Sequence, residues 1–250
     1  MGGHSHWSTI KRQKGASDAK RGQLFTKLSR EVSVAAREGG GDPAMNARLR
    51  LALDKAKEGN MPADTIKRAV ERGAGGGDAA NLQEITFEGY GPGGVAILVE
   101  VVTDNRNRSV SDLRTALTRG GGNLGESGSV AWQFESKGLI TLDAGEADPE
   151  ELALVAIDAG AQDVQVEGQI IEVHTVSTEL AEVRDKLTED GFKIASAELS
   201  MLPTNMIPLD ASAARQALRL LDSIEDLDDV QKVYSNADFP EAALLEYAAA

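Results

Sequence analysis

The chain has 250 residues, 41% of them apolar and 26% charged, with a formal net charge of −14; that length is enough for one to three globular domains with real cores. No window approaches the roughly 18 uninterrupted apolar residues of a membrane span, the N-terminus lacks the apolar segment of a secretory signal, and His6 stands where a myristoylation signal needs Ser or Thr, so no membrane contact is expected. The absence of cysteine excludes disulfides, thiolate catalysis and iron–sulfur ligation, and fits a cytoplasmic protein.

The charge is unevenly distributed. Residues 1–77 carry 15 Lys and Arg against 8 Asp and Glu, net +7, whereas residues 78–250 carry 11 against 32, net −21. A basic segment on an acidic body suits a protein that docks on a polyanion with one part while the rest repels it. The densest cluster is Lys11, Arg12, Lys14, Lys20, Arg21, Lys27 and Arg30, with Asp18 the only acid before residue 31. The bland alternatives are a solvated tail or a transit peptide.

Residues 1–16 show no apolar period and read as an arm that orders on contact. A first helix is predicted from about Ser17, with Leu24, Phe25, Leu28, Val32 and Ala35 in one apolar arc and Lys27, Arg30 and Arg37 on the neighbouring stripe. Gly39 to Gly41 end it. Asp42 is the expected N-cap of a second helix with Pro43 at its first position and Leu49, Ala52, Leu53 and Ala56 buried. A third helix covers 62–72, and Gly73 to Gly77 read as a hinge.

Strands follow: Ile85 and Phe87, then the β-branched run Val95 to Val102. A helix is expected over 109–119, then a strand with Val130, Trp132 and Phe134 on one face. Residues 136–203 read strand 138–143, helix 149–159, strands 163–167 and 169–176, helix 179–190 and strand 193–202, a complete split βαβ plait. The flanking elements 95–103, 109–119, 130–135, 204–208, 211–225 and 229–235 supply the same order. The expected fold is α+β: a small N-terminal helical bundle with a basic arm, then two ferredoxin-like α/β plaits, one inserted in the other. The domain boundaries are an arm 1–22, a helical domain 23–77, a discontinuous α/β domain 78–135 with 204–240, an inserted acidic domain 136–203 and a tail 241–250; tandem domains are the alternative.

No motif demands an enzyme. Gly120, Gly122 and Gly125 match G-x-G-x-x-G but leave a helix and enter a strand, the reverse of a dinucleotide loop. Gly89 to Gly94 reads as a turn with positive φ. His4 and His6 lack a preformed third metal ligand, His174 reads as structural, and Asp222, Glu225, Asp226, Asp228 and Asp229 read as a solvated acidic helix end. No catalytic residue, cofactor or metal is expected. The inserted domain, with 4 cations against 15 acids over 136–203, would repel phosphate and is assigned to protein contacts or spacing. Arg106 and Arg108 at a strand-to-helix junction read either as a second phosphate contact or as neighbours of a cap formed by Asn107 or Ser109.

Several strings, among them His4-Ser-His-Trp7, Asp18-Ala-Lys-Arg-Gly22, Gly59-Asn-Met-Pro62, Tyr90-Gly-Pro-Gly-Gly94, Thr103-Asp-Asn-Arg-Asn-Arg108 and Gly121 to Trp132, resemble the YebC/PmpR family, which includes a mitochondrial translational activator of cytochrome c oxidase. The resemblance implies a helical domain followed by two α/β domains, one inserted in the other, in a cytoplasmic non-enzyme that binds nucleic acid. It also implies either transcriptional regulation through DNA or ribosome-associated action on difficult sequences such as proline runs. Many members carry Lys where this chain has His6 and Gln23, which thins the arm's charge. The basic arm on an acidic body favours an RNA-rich cleft, with Lys11, Arg12, Lys14, Lys20, Arg21, Lys27 and Arg30 neutralising phosphates, Trp7 stacking on a base and Arg106 and Arg108 auxiliary. The competing DNA reading treats helices 43–58 and 62–72 as a helix-turn-helix presenting Lys67, Arg68 and Arg72.

Overall fold

The computed structural model describes residues 18–75, 81–145 and 147–249. Helix α1 (Asp18–Gly39) covers the span expected for the first helix, from near Ser17 to the glycines that end it, and so takes in the last residues of the segment 1–22 read as arm. It packs with α2 (Ala47–Glu58) and α3 (Ala63–Ala74) around Leu28, Val32, Ala35, Leu49, Ala52, Ala56, Met61 and Ala69. Leu24, placed on the same arc, is instead 39% exposed.

The second helix starts four residues later than expected. Asp42 closes a local turn by accepting from Ala44 N, and Asn46 is the cap. Its Oδ1 accepts from Leu49 N at 3.0 Å while its Nδ2 donates to the carbonyls of Ala35 and Gly40, each at 2.8 Å. One buried amide thereby ends α1 and begins α2. Gly39 is required there, because an added Cβ would lie 2.5 Å from Asn46 Cγ.

Gly73, expected in a hinge, lies inside α3. A Cβ on it would sit 2.2 Å from Ser33 O and 2.8 Å from Ala36 Cβ, and Ser33 Oγ donates to Ala69 O at 2.9 Å. Small residues on both helices let α1 and α3 approach closely. Of the rest of the expected hinge, Ala74 ends α3 and Gly75 is its C-cap, while 76 and 77 lie outside the described residues.

The chain then divides into two compact units, Glu135–Leu202 and the residues on either side of it. In the discontinuous unit, β1 (Gln83–Tyr90), β2 (Ala96–Thr103), β3 (Asn123–Leu124) and β9 (Val230–Ser235) form an antiparallel sheet in the order β3-β1-β2-β9. Helices α4 (Arg106–Arg119) and α7 (Ala211–Glu225) cover one face, with Leu113, Leu117, Leu218 and Leu221 against Phe87, Ile97, Val99 and Val233.

In the inserted unit, β4 (Phe134–Asp143), α5 (Pro149–Asp158), β5 (Asp163–Glu167), β6 (Ile170–Val176), α6 (Leu180–Glu189) and β7 (Ile194–Pro203) give a sheet in the order β5-β6-β4-β7. That is the plait read from the periodicity, with apolar residues such as Ile140, Leu142, Ile171, Val173 and Leu187 buried. The α+β fold class with nested plaits therefore holds.

Two strands expected to complete the discontinuous sheet do not form as such. Residues 131–133 make a 3-10 turn, leaving Trp132 71% exposed while Val130 and Phe134 are buried. Of 204–208 only β8 (Ile207–Pro208) is a strand, and it pairs with β10 (Ala237–Asp238) in a separate parallel ribbon. The long β1 fills the vacancy at the sheet's centre. The expected tail is helix α8 (Glu241–Ala249), which buries Ala243 and Leu244 in the core and brings Tyr247 Oη to donate to Asp222 Oδ1 at 2.7 Å. No helix among the described residues is long and apolar enough to cross a membrane.

Gly73→Ala tests the close approach of α1 and α3. Overpacking of this kind costs about 1–3 kcal/mol, so thermal unfolding should show a lower Tm; an unchanged Tm would mean that the two helices separate freely.

Candidate nucleic-acid interface

The contact residues expected at the N-terminal end fall into three groups. Trp7, Lys11, Arg12 and Lys14 lie outside the described residues. Lys20 and Arg21 fall in the first turn of α1, where Arg21 is exposed. Lys27 and Arg30, one turn and more further on, are directed onto the chain itself.

Lys27 Nζ donates to Glu225 O and Gln23 Nε2 to Asp226 O at 3.5 Å. These are carbonyls at the C-terminal end of α7, where unsatisfied oxygens and the helix dipole favour a cation. Arg30 donates to Asp228 O at 2.6 Å and to Asp229 Oδ1 at 3.0 Å. Arg37 donates to Leu82 O at 2.5 Å. Arg48, on α2, bridges Glu38 and Glu84. The stripe read as a phosphate-facing surface is largely the seam between the helical bundle and the sheet.

Asp229 is the centre of that seam. Besides Arg30 it accepts from Ser109 Oγ at 2.8 Å, from Thr103 Oγ1 at 3.0 Å and from Arg108 through Nε at 3.2 Å and through the terminal nitrogen at 2.9 Å. Burial opposes its ionisation, but the hydrogen bonds from Ser109, Arg108 and Thr103, with the Arg108 charge, outweigh it and hold the carboxyl below the ordinary aspartate value. Asp229 is thus no part of a solvated acidic helix end. That reading failed because the sequence shows five carboxylates close together without showing which one turns inward.

Both Arg106 and Arg108 are exposed, but Arg108 is committed to Asp229 and to Asp104 Oδ1 at 2.8 Å. The cap of α4 is neither Asn107 nor Ser109. Asn105 Oδ1 accepts from Arg108 N at 3.2 Å. The first turn of α4 carries no acid, so Arg106 adds positive charge where the helix dipole is already positive, which favours an anion nearby.

The helix pair named for the DNA reading exists as α2 and α3, joined through Gly59, Asn60, Met61 and Pro62, with Asn60 at φ +56°. Lys67 and Arg68 are exposed on α3, and Arg72 reaches Ser29 Oγ at 3.4 Å.

At the other end of β2 lies a feature that the sequence reading missed. Glu88, buried in β1, accepts from the backbone N–H of Gly128 and Val130, each at 2.6 Å, and of Ala131 at 2.8 Å. Burial raises its pKa, and the backbone donors Gly128, Val130, Ala131 and Ser129 more than offset this, leaving the carboxyl below the ordinary glutamate value. Tyr90 Oη and Trp132 Nε1 both donate to Ser129 O at 3.1 Å. The two glycine-rich strings therefore meet: an added Cβ on Gly122 would lie 2.3 Å from Tyr90 O. The sequence signal for this was an acid placed within a strand otherwise bound for the core.

Comparison with known proteins covers nearly the whole chain. Residues 5–76 match the family described as the TACO1/YebC protein N-terminal domain, and residues 82–237 match the TACO1/YebC second and third domain. Proteins named "probable transcriptional regulatory protein" from Herpetosiphon aurantiacus and Rubrobacter xylanophilus are 53% and 55% identical over 249 residues, covering 99% of this chain and 99% and 100% of theirs. The crystal structure of a conserved hypothetical protein from Aquifex aeolicus superposes with a TM-score of 0.84 at 45% identity, covering 90% of this chain and 93% of that one.

Asp229→Asn should destabilise the protein by about 2–3 kcal/mol at pH 7, since it leaves two guanidinium groups without their shared counter-charge. Because the carboxyls of Asp229 and Glu88 titrate below their ordinary values, their contributions are complete above about pH 4 and lost as pH falls through the folded values. Urea unfolding across pH 2–7 should show the variant's deficit narrowing in acid; equal stability at pH 7 would remove Asp229 from its central place.

Proposed function

Because the chain belongs to the TACO1/YebC family, we propose that it is a non-enzymatic regulator of gene expression that binds nucleic acid through its N-terminal basic segment. The observation that carries the reading is the opposition of net +7 over residues 1–77 and net −21 over the remainder. A polyanion is drawn to one part and repelled by the other, which orients the protein before any specific contact forms.

The proposed phosphate contacts are Lys11, Arg12, Lys14, Lys20 and Arg21, with Trp7 available to stack on an unpaired base and Arg106 as an auxiliary. Lys27 and Arg30 support the interface indirectly by holding the bundle on the sheet domain, and Arg108 by bonding Asp229, the carboxylate that Arg30 meets. An arm entering an RNA-rich cleft such as that of the ribosome, in a cytoplasmic setting, fits this arrangement, since no base-reading element is needed for an electrostatic grip.

The second reading is a DNA-binding regulator. The names of the relatives favour it, and so does the α2–α3 pair with exposed Lys67 and Arg68.

Fluorescence anisotropy with a 20-nucleotide single-stranded RNA and with duplex DNA, over 50–300 mM KCl, separates the two. About five RNA contacts give a log–log salt slope near −3.5, and reversing Lys11, Arg12 and Lys14 to Glu should weaken binding at least tenfold. A duplex sequence that stays protected under excess RNA would establish the DNA reading; a salt-independent response to both would defeat the proposal.

A further inference from the structure

Helix α5 of the inserted unit is packed with its alanines inward, beside the half-buried Leu152, and with its other large apolar side chains outward. Ala153, Ala156 and the following Ala159 are buried, whereas Leu154 is 65%, Ile157 52% and Val155 37% exposed. The usual amphipathic order would bury Leu and Ile and expose Ala. At about 100° per residue, the exposed side reads Ile157, Glu150, Leu154, Asp158, Glu151 and Val155 in turn around the helix, so apolar and acidic side chains alternate across it. Beside it, a shallow depression of about 210 Å3 is lined by Val155, Asp158, Ala159, Lys186, Glu189 and Asp190. Lys186, the one cation of that lining, is engaged by Glu182 Oε1 at 3.0 Å and Ala159 O at 3.5 Å.

We propose that this face of α5 is a docking surface for a cationic amphipathic segment of another protein, which buries Leu154 and Ile157 while its lysines or arginines meet Glu150, Glu151 and Asp158. Charge selects the occupant. A second copy meeting it through the same inserted unit would set one surplus of acids against another, since residues 136–203 carry a net charge of −11; nucleic acid would meet the same repulsion. Only a partner of opposite sign gains from both the apolar side chains and the acids between them. The inference is independent of the nucleic-acid reading, because it concerns a different unit and its test contains no nucleic acid.

The test uses the full 250-residue chain labelled with 15N and a 14-residue helical peptide made only of Leu and Lys, with the leucines on one face. Amide shifts should centre on α5, and the affinity should fall at least tenfold for Leu154→Ser with Ile157→Ser, and for a control peptide whose leucines are replaced by alanine. Both substitutions are on the surface, so a thermal melt should confirm an unchanged fold. Equal binding by the variant or by the control peptide would reduce the effect to general acidity and overturn the proposal. So would sedimentation showing a wild-type dimer that the double variant dissolves, because the face would then belong to a second copy.

Discussion

Asp229 is buried and accepts hydrogen bonds from Arg30 of α1, Thr103 at the end of β2, and Arg108 and Ser109 of α4. A carboxylate in such a place is tolerable only when every lone pair is met, so four side chains from three elements are bound to one arrangement. The position of the helical bundle on the sheet follows from it, with Lys27 on the end of α7 and Arg37 on Leu82 O extending the same seam. Cations that look alike in the sequence therefore differ in what they do. Those of the later turns of α1 are part of the fold, whereas Lys20, Arg21 and the cations before them are the ones assigned to a polyanion in the proposed function.

Glu88 solves the same problem with different donors. Its carboxylate is met by backbone N–H groups of the loop after β3, not by side-chain cations. The arrangement takes up no cation, and together with the bonds of Tyr90 Oη and Trp132 Nε1 to Ser129 O it fixes the shape of the loop. Trp132 leaves that loop with its indole N–H already satisfied by Ser129 O and its ring exposed. Gly93 and Gly94, both at φ +78°, turn the chain from β1 into β2 at the same end of the sheet.

Electrostatics and packing together separate the molecule's roles by segment. The N-terminal segment carries the positive excess and spends part of it internally. The inserted unit carries an acid excess on a helix that also shows its largest apolar side chains to solvent. In the readings proposed above, each is a surface that recognises a macromolecule of opposite charge.

The nested plaits were legible in the sequence because the inserted unit is built from regular alternation. Strand 163–167 was expected with its observed bounds, and the helix over 149–159 was placed within one residue of α5. Periodicity is a local property, and it survives folding wherever an element buries one face. It misled at Val130, Trp132 and Phe134, where Glu88 draws the intervening backbone into a turn, and at Asp42, where Asn46, four residues on, caps the same helix. The sequence by itself determined the order of the elements, the fold class and the charge gradient, since these depend on residue type and spacing. Only the tertiary structure decided which carboxylates turn inward, which cations they consume and which side of α5 faces water, because each of those outcomes is set by groups brought together from distant parts of the chain.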